Sequence, residues 1–445
     1  MYALLEKVAN LVLGWPLIIY VAVASIVCTI ACGFVQFRYF FKAWKFTFFP
    51  EKPVRIKKKS KVDMTPFQAF TGALNTALGS GAIAGVATAI FAGGPGSVFW
   101  LVATIFFVSA IRYCEVFLSA YFGARITEKT TAGGPMLYLK SVVGGKYLTW
   151  LFAFFALFYG LLAGCSVQTN TAALSIATTW GVPYWLIAAV MFLFVLYVLL
   201  GGAPRIVKAS DFIIPVKVLV FFVSVFIILV FHYQNLLPAL KLIVTSAFSS
   251  KALAGGVTGF AVQEAIRYGM ARCIFATSSG VGSTAILFSA TGSQQPVRSG
   301  IMSMVAAIIS TIACFLIGWC IIASGVWASG ADSTALTIAS YETVFGWFGG
   351  WIVSFLSVAF TMGVLVVFAY ITREAWLFLT GGRFAWVHLI LYPSVALWGV
   401  LANVRVVWAV MDLSMAGMLF INLFGILYLL PLIKKELRRF AGEAN

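Results

Sequence analysis

Two runs of small and hydroxyl-bearing residues interrupt apolar stretches, and they are the segments of this sequence best suited to bind a ligand. The first run, within NTALGSGAIAGVATAIFAGGPG (75–96), contains Gly79, Ser80 and Gly81. The second run, within EAIRYGMARCIFATSSGVGSTAILF (264–288), contains Thr277, Ser278, Ser279, Gly280, Gly282 and Ser283. A broken membrane helix exposes N–H groups that suit a carboxylate, and carbonyl and hydroxyl oxygens that suit an ammonium or a dehydrated cation.

Two further side chains are candidates for the same site. Gln168 is an uncharged amide in the middle of an apolar stretch, flanked by Ser166, Thr169 and Asn170. A buried carboxamide needs hydrogen-bond partners, which either a neighbouring helix or a substrate can supply. Phe275 adjoins the second run, where its ring could form one wall of a pocket for a small side chain.

The composition places these residues in a membrane. Of the 445 residues, 62% are hydrophobic and 10% are charged, and the mean hydropathy is +1.02. A soluble domain is about half apolar and a quarter charged. Since a spanning helix needs about 20 apolar residues, eleven stretches are candidate spans: 9–36, 66–92, 95–123, 147–178, 183–201, 212–234, 255–291, 298–328, 345–371, 384–402 and 407–433.

The sequence argues against several other functional classes. It contains no HExxH, GxSxG or GxxxxGK[ST] motif, so we expect neither an enzyme nor an ATP-driven pump, and no organic cofactor. The seven cysteines lie in apolar stretches without nearby ligands, which favours packing over metal binding or disulfides. The net charge of +17 is spread over alternate loops, so we expect no nucleic-acid partner.

The distribution of cations predicts the orientation in the membrane. Nine of the thirty Lys and Arg residues lie in the loop 37–65, whereas the even-numbered loops carry only Lys241, Lys251 and Arg405. Cytoplasmic loops carry the excess of cations in membrane proteins. We therefore expect a multi-pass protein of the cell membrane, with the N-terminus outside and the C-terminus in the cytoplasm.

The positions of the two interrupted stretches predict an internal repeat. After the first stretch, the interrupted 66–92 opens one group of five and the interrupted 255–291 opens the second. Matching breaks in two halves are typical of transporters with inverted repeats, although each run alone could be a close-packing surface. The predicted division is an extra helix (1–36), a basic loop (37–65), the first repeat (66–234), an extracellular connection (235–254), the second repeat (255–433) and a tail (434–445).

Charged residues within the stretches are expected to neutralise each other. Arg112 and Glu115 are three residues apart, as are Glu264 and Arg267, so each pair lies on one helix face. Such pairing favours a structural role over a role in transport.

Several motifs recur in the order of a known family. They are GSGAIAGVATAIFAGGPGSVFW (79–100), GGPMLYL (133–139), QTN (168–170), EAIRYGMARCIF followed by GVGS (264–283), and MDL with INL (411–413, 421–423). From about residue 66 to 430 the sequence resembles the alanine or glycine:cation symporter family of the amino acid–polyamine–organocation superfamily. The resemblance implies an all-α polytopic membrane protein with a LeuT-type core of ten helices in two inverted repeats, preceded by one extra helix.

The resemblance also implies a function and a set of site residues. The implied function is sodium-coupled symport of small neutral amino acids such as alanine or glycine by alternating access. The candidate substrate-binding residues are Gly79, Ser80, Gly81, Gln168, Phe275, Thr277, Ser278 and Ser279. The candidate cation-binding residues are Gly79, Ala82, Ile83 and Thr361.

The sequence departs from the family at polar positions. Ala82 stands where the family motif GxGNIAGVA has Asn, and 275–283 lacks the Asn and Glu of FSNEAGxGS. Ser310 and Thr311 stand where the family has Asp-Thr. These changes leave sodium or proton coupling open.

A channel or a non-transporting amino-acid sensor of the same fold is the alternative. A channel would need a filter-like run or pore-lining charges. A sensor would need a soluble output domain, and the longest soluble piece is 37–65.

Overall fold

The structure is a computed structural model that describes residues 14–49, 64–79, 81–124, 133–248, 262–402 and 404–443, and the regular elements in these ranges are helical. The first twelve helices are α1 (Trp15–Ala31), α2 (Val35–Arg38), α3 (Phe40–Phe48), α4 (Pro66–Ala77), α5 (Val86–Gly93), α6 (Gly96–Gly123), α7 (Pro135–Tyr138), α8 (Gly145–Leu161), α9 (Val167–Trp180), α10 (Tyr184–Leu200), α11 (Gly202–Phe231) and α12 (Leu236–Phe248). The remaining helices are α13 (Val262–Thr277), α14 (Ser283–Ser289), α15 (Pro296–Ala323), α16 (Ser333–Phe345), α17 (Phe348–Thr380), α18 (Ala385–Leu401), α19 (Val404–Tyr428) and α20 (Leu430–Glu443).

The first interrupted stretch folds as two helical pieces, as predicted. Thr65 and Gln68 start α4 with a reciprocal pair of side-chain caps, and the helix ends at Ala77. A π-helical turn, Gly81–Gly85, then leads into α5, and the second piece is bent by 43° from α4. Ser80 lies outside the described residues.

The second interrupted stretch is also broken within its length. Helix α13 ends at Thr277, and three residues of the following turn have positive φ: Ser278 (50°), Gly280 (81°) and Gly282 (88°). Left-handed backbone is accessible to glycine and costly for a residue such as serine. The turn directs the chain into the short helix α14.

The described helices include membrane-length apolar spans. Five are long and apolar enough to cross a bilayer: Gly96–Gly123, Gly145–Trp180, Pro296–Ala323, Phe348–Thr380 and Val410–Tyr428. Counting each of two bent pairs as one span raises the number to seven, and α1, α10 and α18 are shorter apolar helices. The eleven spans, the two repeats and the orientation of the termini stay predictions.

The structure also contains helices outside the eleven predicted stretches. Helix α12 lies within the predicted connection 235–254 and is bent by 81° from the end of α11. Helix α16 lies between two predicted spans and packs against α5 and α17. Helix α6 packs against α13, α14 and α15, so it contacts the helices on both sides of the second break.

Candidate functional site

A cavity lies between the two helix breaks. Its empty volume, including space that opens outward, is about 260 Å³. The described residues that line it are Thr76, Ala77, Gly79, Gly81, Tyr159, Ala163, Gln168, Phe275, Ala276, Ser278 and Phe368. The lining therefore comes from both breaks, from the α8–α9 region and from α17.

The structure brings most of the predicted substrate-binding residues to this cavity. Gly79, Gly81, Gln168, Phe275 and Ser278 all line it. The other predicted hydroxyl residues of the second run, Thr277 and Ser279, are not among its described lining residues. The hydroxyl of the first donates 2.8 Å to the carbonyl of Cys273 in its own helix, and the hydroxyl of the second is buried without a partner in the described part of the chain.

Gln168 is held in a fixed orientation beside the first break. The helix widens into a π-helical turn at Leu162–Ser166, and the Gln168 Nε2 donates 3.0 Å to the carbonyl of Ala163. A Cβ atom built on Gly79 would lie 3.1 Å from the Gln168 Oε1. The amide oxygen therefore faces the backbone of the first break across a distance that only glycine leaves open.

The ring of Phe275 packs directly against the first break. A Cβ atom on Gly81 would lie 3.1 Å from both Cδ1 and Cε1 of this ring. Such a separation is short for two carbon atoms, whose optimal separation is about 3.5–4.0 Å. The contact fixes how closely the two breaks approach and limits the size of the space between them.

One hydroxyl joins the two breaks. The Ser310 Oγ, from α15, lies 2.8 Å from the carbonyl oxygen of Ala77 and 3.1 Å from that of Ala276, so its one proton is shared between the two acceptors. These carbonyls lie at the C-terminal ends of α4 and α13, where the helices leave their acceptors unpaired. Ser310 is fully buried, so its hydroxyl takes the place of water for both ends.

The predicted charged pairs are present. Arg112 lies 3.2 Å from Glu115, and both side chains are fully buried. Arg267 lies 3.6 Å from Glu264, where both side chains remain partly exposed. The first pair is therefore the one that faces the protein interior.

The buried pair holds the backbone of the second break. The Arg112 Nη1 donates 3.1 Å to the carbonyl of Ser278, and the backbone N–H of Gly282 donates 3.0 Å to the Glu115 carboxylate. The Nδ2 of Asn422, from α19, donates 3.2 Å to the same carboxylate. The two charged side chains thus form hydrogen bonds with backbone groups of the turn that the helices leave unpaired. Their role is to hold the turn in position.

Three of the four predicted cation ligands, Gly79, Ala82 and Ile83, lie at the first break, and the fourth, Thr361, lies on α17. The carbonyl of Gly79 accepts 3.1 Å from the N–H of Ala82, and that of Ile83 accepts 3.1 Å from the hydroxyl of Thr337. The Thr361 hydroxyl donates 2.9 Å to the backbone carbonyl of Gln168. Only Gly79 of the predicted cation ligands lines the cavity.

The Sodium:alanine symporter family matches residues 1–445. The chain belongs to this family. It is therefore a multi-pass membrane transporter and not an enzyme, as the sequence predicted.

The relatives of this symporter-family member include named carriers. It is 30% identical to the "Sodium/alanine symporter AgcS" of Methanococcus maripaludis, over 98% of this chain and 97% of that protein. It is 31% identical to the "Uncharacterized transporter YflA" of Bacillus subtilis, over 97% and 91%. Its fold is similar to the solved structure of a Na⁺-coupled sialic acid symporter, with a TM-score of 0.56, 13% identity, and 93% and 87% of the chains covered.

Sequence reasoning missed two side chains that line the cavity of this symporter-family member, and a third that contacts the first break. Tyr159 lines the cavity and faces the side chain of Ser278; a phenol in the stretch that also holds Gln168 could have indicated it. Nothing in the sequence distinguishes Phe368, as a cavity residue, from the rest of the 41 phenylalanines. Lys217 is a lone cation within the apolar stretch 212–234, and such a residue is a signal in itself.

Proposed function

We propose that this protein is a secondary active transporter that imports alanine, glycine or a similarly small neutral amino acid together with sodium. The observation that carries the proposal is that the two breaks, distant in sequence, line one cavity and are joined by Ser310. A binding site between two broken helices is the arrangement that secondary transporters use. The family and the named sodium/alanine relative support the choice of substrate and ion.

The proposed substrate lies with its two charges on opposite breaks. Its carboxylate contacts N–H groups at 79–81, and its ammonium faces carbonyl and hydroxyl oxygens at 275–279. Gln168 hydrogen-bonds one polar end, and Phe275 closes the side-chain pocket. The close contact between the Phe275 ring and Gly81 supports a small substrate, because it leaves little room between the breaks.

The proposed sodium ion binds at the first break. Its oxygen ligands are carbonyls of Gly79, Ala82 and Ile83 and the hydroxyl of Thr361. Movement of one group of helices against the other, around the two breaks, then exposes the cavity to each side of the membrane in turn. The carbonyls of this break are backbone groups, so they survive the loss of polar side chains such as the Asn replaced by Ala82.

Uptake into proteoliposomes tests the proposal. The purified protein is reconstituted, and labelled alanine, glycine, leucine and glutamate are offered under an inward sodium gradient, an inward proton gradient or neither. We expect sodium-driven uptake of alanine or glycine that exceeds uptake of leucine and glutamate. Substrate binding without gradient-dependent uptake of any small amino acid would refute transport and point to a sensor.

A further inference from the structure

A buried lysine that is not among the described cavity-lining residues contacts the first break. Lys217, on α11, is fully buried, and its Nζ donates 3.1 Å to the carbonyl of Leu78. Leu78 is the residue that caps the C-terminus of α4. The end of a helix carries a partial negative charge from its unpaired carbonyls, so it stabilises a cation placed there.

The described groups around the ammonium carry no formal charge, and they include a carbonyl oxygen and an aromatic ring. Within the described ranges, Lys217 has no carboxylate at ion-pair distance, and its Nζ lies 5.1 Å from the centre of the Phe360 ring. A Cβ atom on Gly363 would lie 2.8 Å from the Lys217 Nζ and 2.6 Å from the Asn75 Oδ1, so these two atoms are neighbours. The Asn75 amide is buried, and both of its polar atoms lack a hydrogen-bond partner among the described residues.

The Leu78 carbonyl and the Phe360 ring contact the ammonium, and the Asn75 amide oxygen lies nearby without a hydrogen bond to it. A backbone carbonyl, an amide oxygen and an aromatic face each attract positive charge without neutralising it. An isolated ammonium costs free energy in a dry interior, so its presence there requires a specific role. That role is to stabilise the C-terminal end of α4, which is the helix end that transport must rearrange.

We infer that the ammonium of Lys217 is a tethered cation that takes the place of a free coupling ion at the Leu78 carbonyl. The protein therefore carries one of its cations covalently at the first break, and a second, transported cation binds at the proposed sodium site. The inference rests on the proposed function for its role in coupling. The cation-binding character of the space around Leu78 and Asn75 does not depend on it.

Substitution of Lys217 and replacement of its charge from solution test the inference. Lys217→Ala vacates the space beside Leu78, whereas Lys217→Met fills the same space with an uncharged chain. Ser224→Ala is the matched control on the same helix, two turns away, where the Ser224 hydroxyl lies 3.2 Å from that of Tyr341. Each variant is assayed for sodium-driven alanine uptake and for its melting temperature in detergent, with and without methylammonium or added sodium.

The expected result separates charge from packing. Both Lys217 variants lose about tenfold to a hundredfold in initial uptake rate, the range expected when a buried carbonyl loses a charged donor. Methylammonium or higher sodium restores uptake by Lys217→Ala and raises its melting temperature, but does neither for Lys217→Met. Ser224→Ala behaves as the wild type, and wild-type uptake shows a sodium Hill coefficient near one.

Several outcomes would overturn the inference. Wild-type uptake by Lys217→Met would show that no charge is needed at this position. A defect in Lys217→Ala that neither cation relieves, in uptake or in melting temperature, would reduce Lys217 to a packing residue. If neither variant inserts, the wild-type sodium titration decides, and a Hill coefficient near two contradicts a tethered cation. A wild type that transports nothing refutes the proposed function instead, and the melting experiment still tests the cation site.

Discussion

Ser310→Ala is the substitution that most directly tests whether the link between the two breaks matters for substrate binding. The Ser310 hydroxyl is fully buried and lies within 3.1 Å of the carbonyl oxygens of both Ala77 and Ala276. Alanine removes the hydroxyl and adds no new atom, so the backbone of α15 is left unchanged. The two carbonyls then share the loss of one donor in a place that excludes water.

The size of the effect follows from the cost of that loss. Leaving a buried acceptor without its donor costs about 1–3 kcal/mol, which corresponds to about a fivefold to 150-fold change in an equilibrium constant. Because the hydroxyl has one proton, the loss amounts to one hydrogen bond shared between the two acceptors. If the joined breaks form the substrate site, we expect alanine affinity to fall by this factor while the protein still inserts and folds.

Ser303→Ala is the matched control for this prediction. Ser303 is also buried on α15, but its hydroxyl donates 2.7 Å to the carbonyl of Gly300 in its own helix. The assay is the dependence of the initial uptake rate on alanine concentration in proteoliposomes, with melting temperatures measured in detergent. Equal uptake parameters for Ser310→Ala and Ser303→Ala would refute the reasoning, because the contact between the breaks would then have no part in binding.

Further predictions concern the cavity and the topology. Gly81→Val places branched methyl groups into the ring of Phe275, so it should abolish uptake while the protein still inserts; retained uptake would show that the ring moves freely. Gln168→Ala should weaken alanine affinity by about fivefold to 150-fold, the equivalent of about 1–3 kcal/mol of hydrogen bonding; an unchanged Michaelis constant would exclude it from the site. Phe275→Ala should widen the pocket and admit larger neutral amino acids at the expense of alanine, which competition by leucine measures; unchanged selectivity would argue against a wall role. Cysteines introduced in 52–61 or after Lys435 should react only with reagents on the cytoplasmic side, and labelling from outside intact cells would overturn the predicted orientation.

The positions of the two breaks could be predicted because their signal is local. Glycine and hydroxyl residues that interrupt an apolar stretch weaken a membrane helix at that point. Thr277 and Ser278 show the limit of this reasoning. Thr277 is the last residue of α13 and bonds back to its own helix, whereas Ser278 adopts a left-handed backbone conformation and reaches the cavity. A difference of one residue at a helix end decides which hydroxyl is available.

The partners of the exposed backbone could not be predicted, because they come from distant helices. Ser310, Lys217 and Glu115 each contact a break from another part of the chain. The sequence marks each of them as polar within an apolar stretch, which indicates a partner but not its identity. Helices α12 and α16 escaped prediction because they have 13 residues each and lie below the length of a span.

The central claim is that an amino acid bound between the two breaks moves together with a cation. The most direct test is accumulation of alanine inside proteoliposomes against its own concentration gradient, driven by an inward sodium gradient. The account predicts accumulation above the external concentration, which collapses when an ionophore dissipates the sodium gradient and is absent in Gly81→Val. Alanine that only equilibrates across the membrane, or that enters equally without any cation gradient, would contradict it.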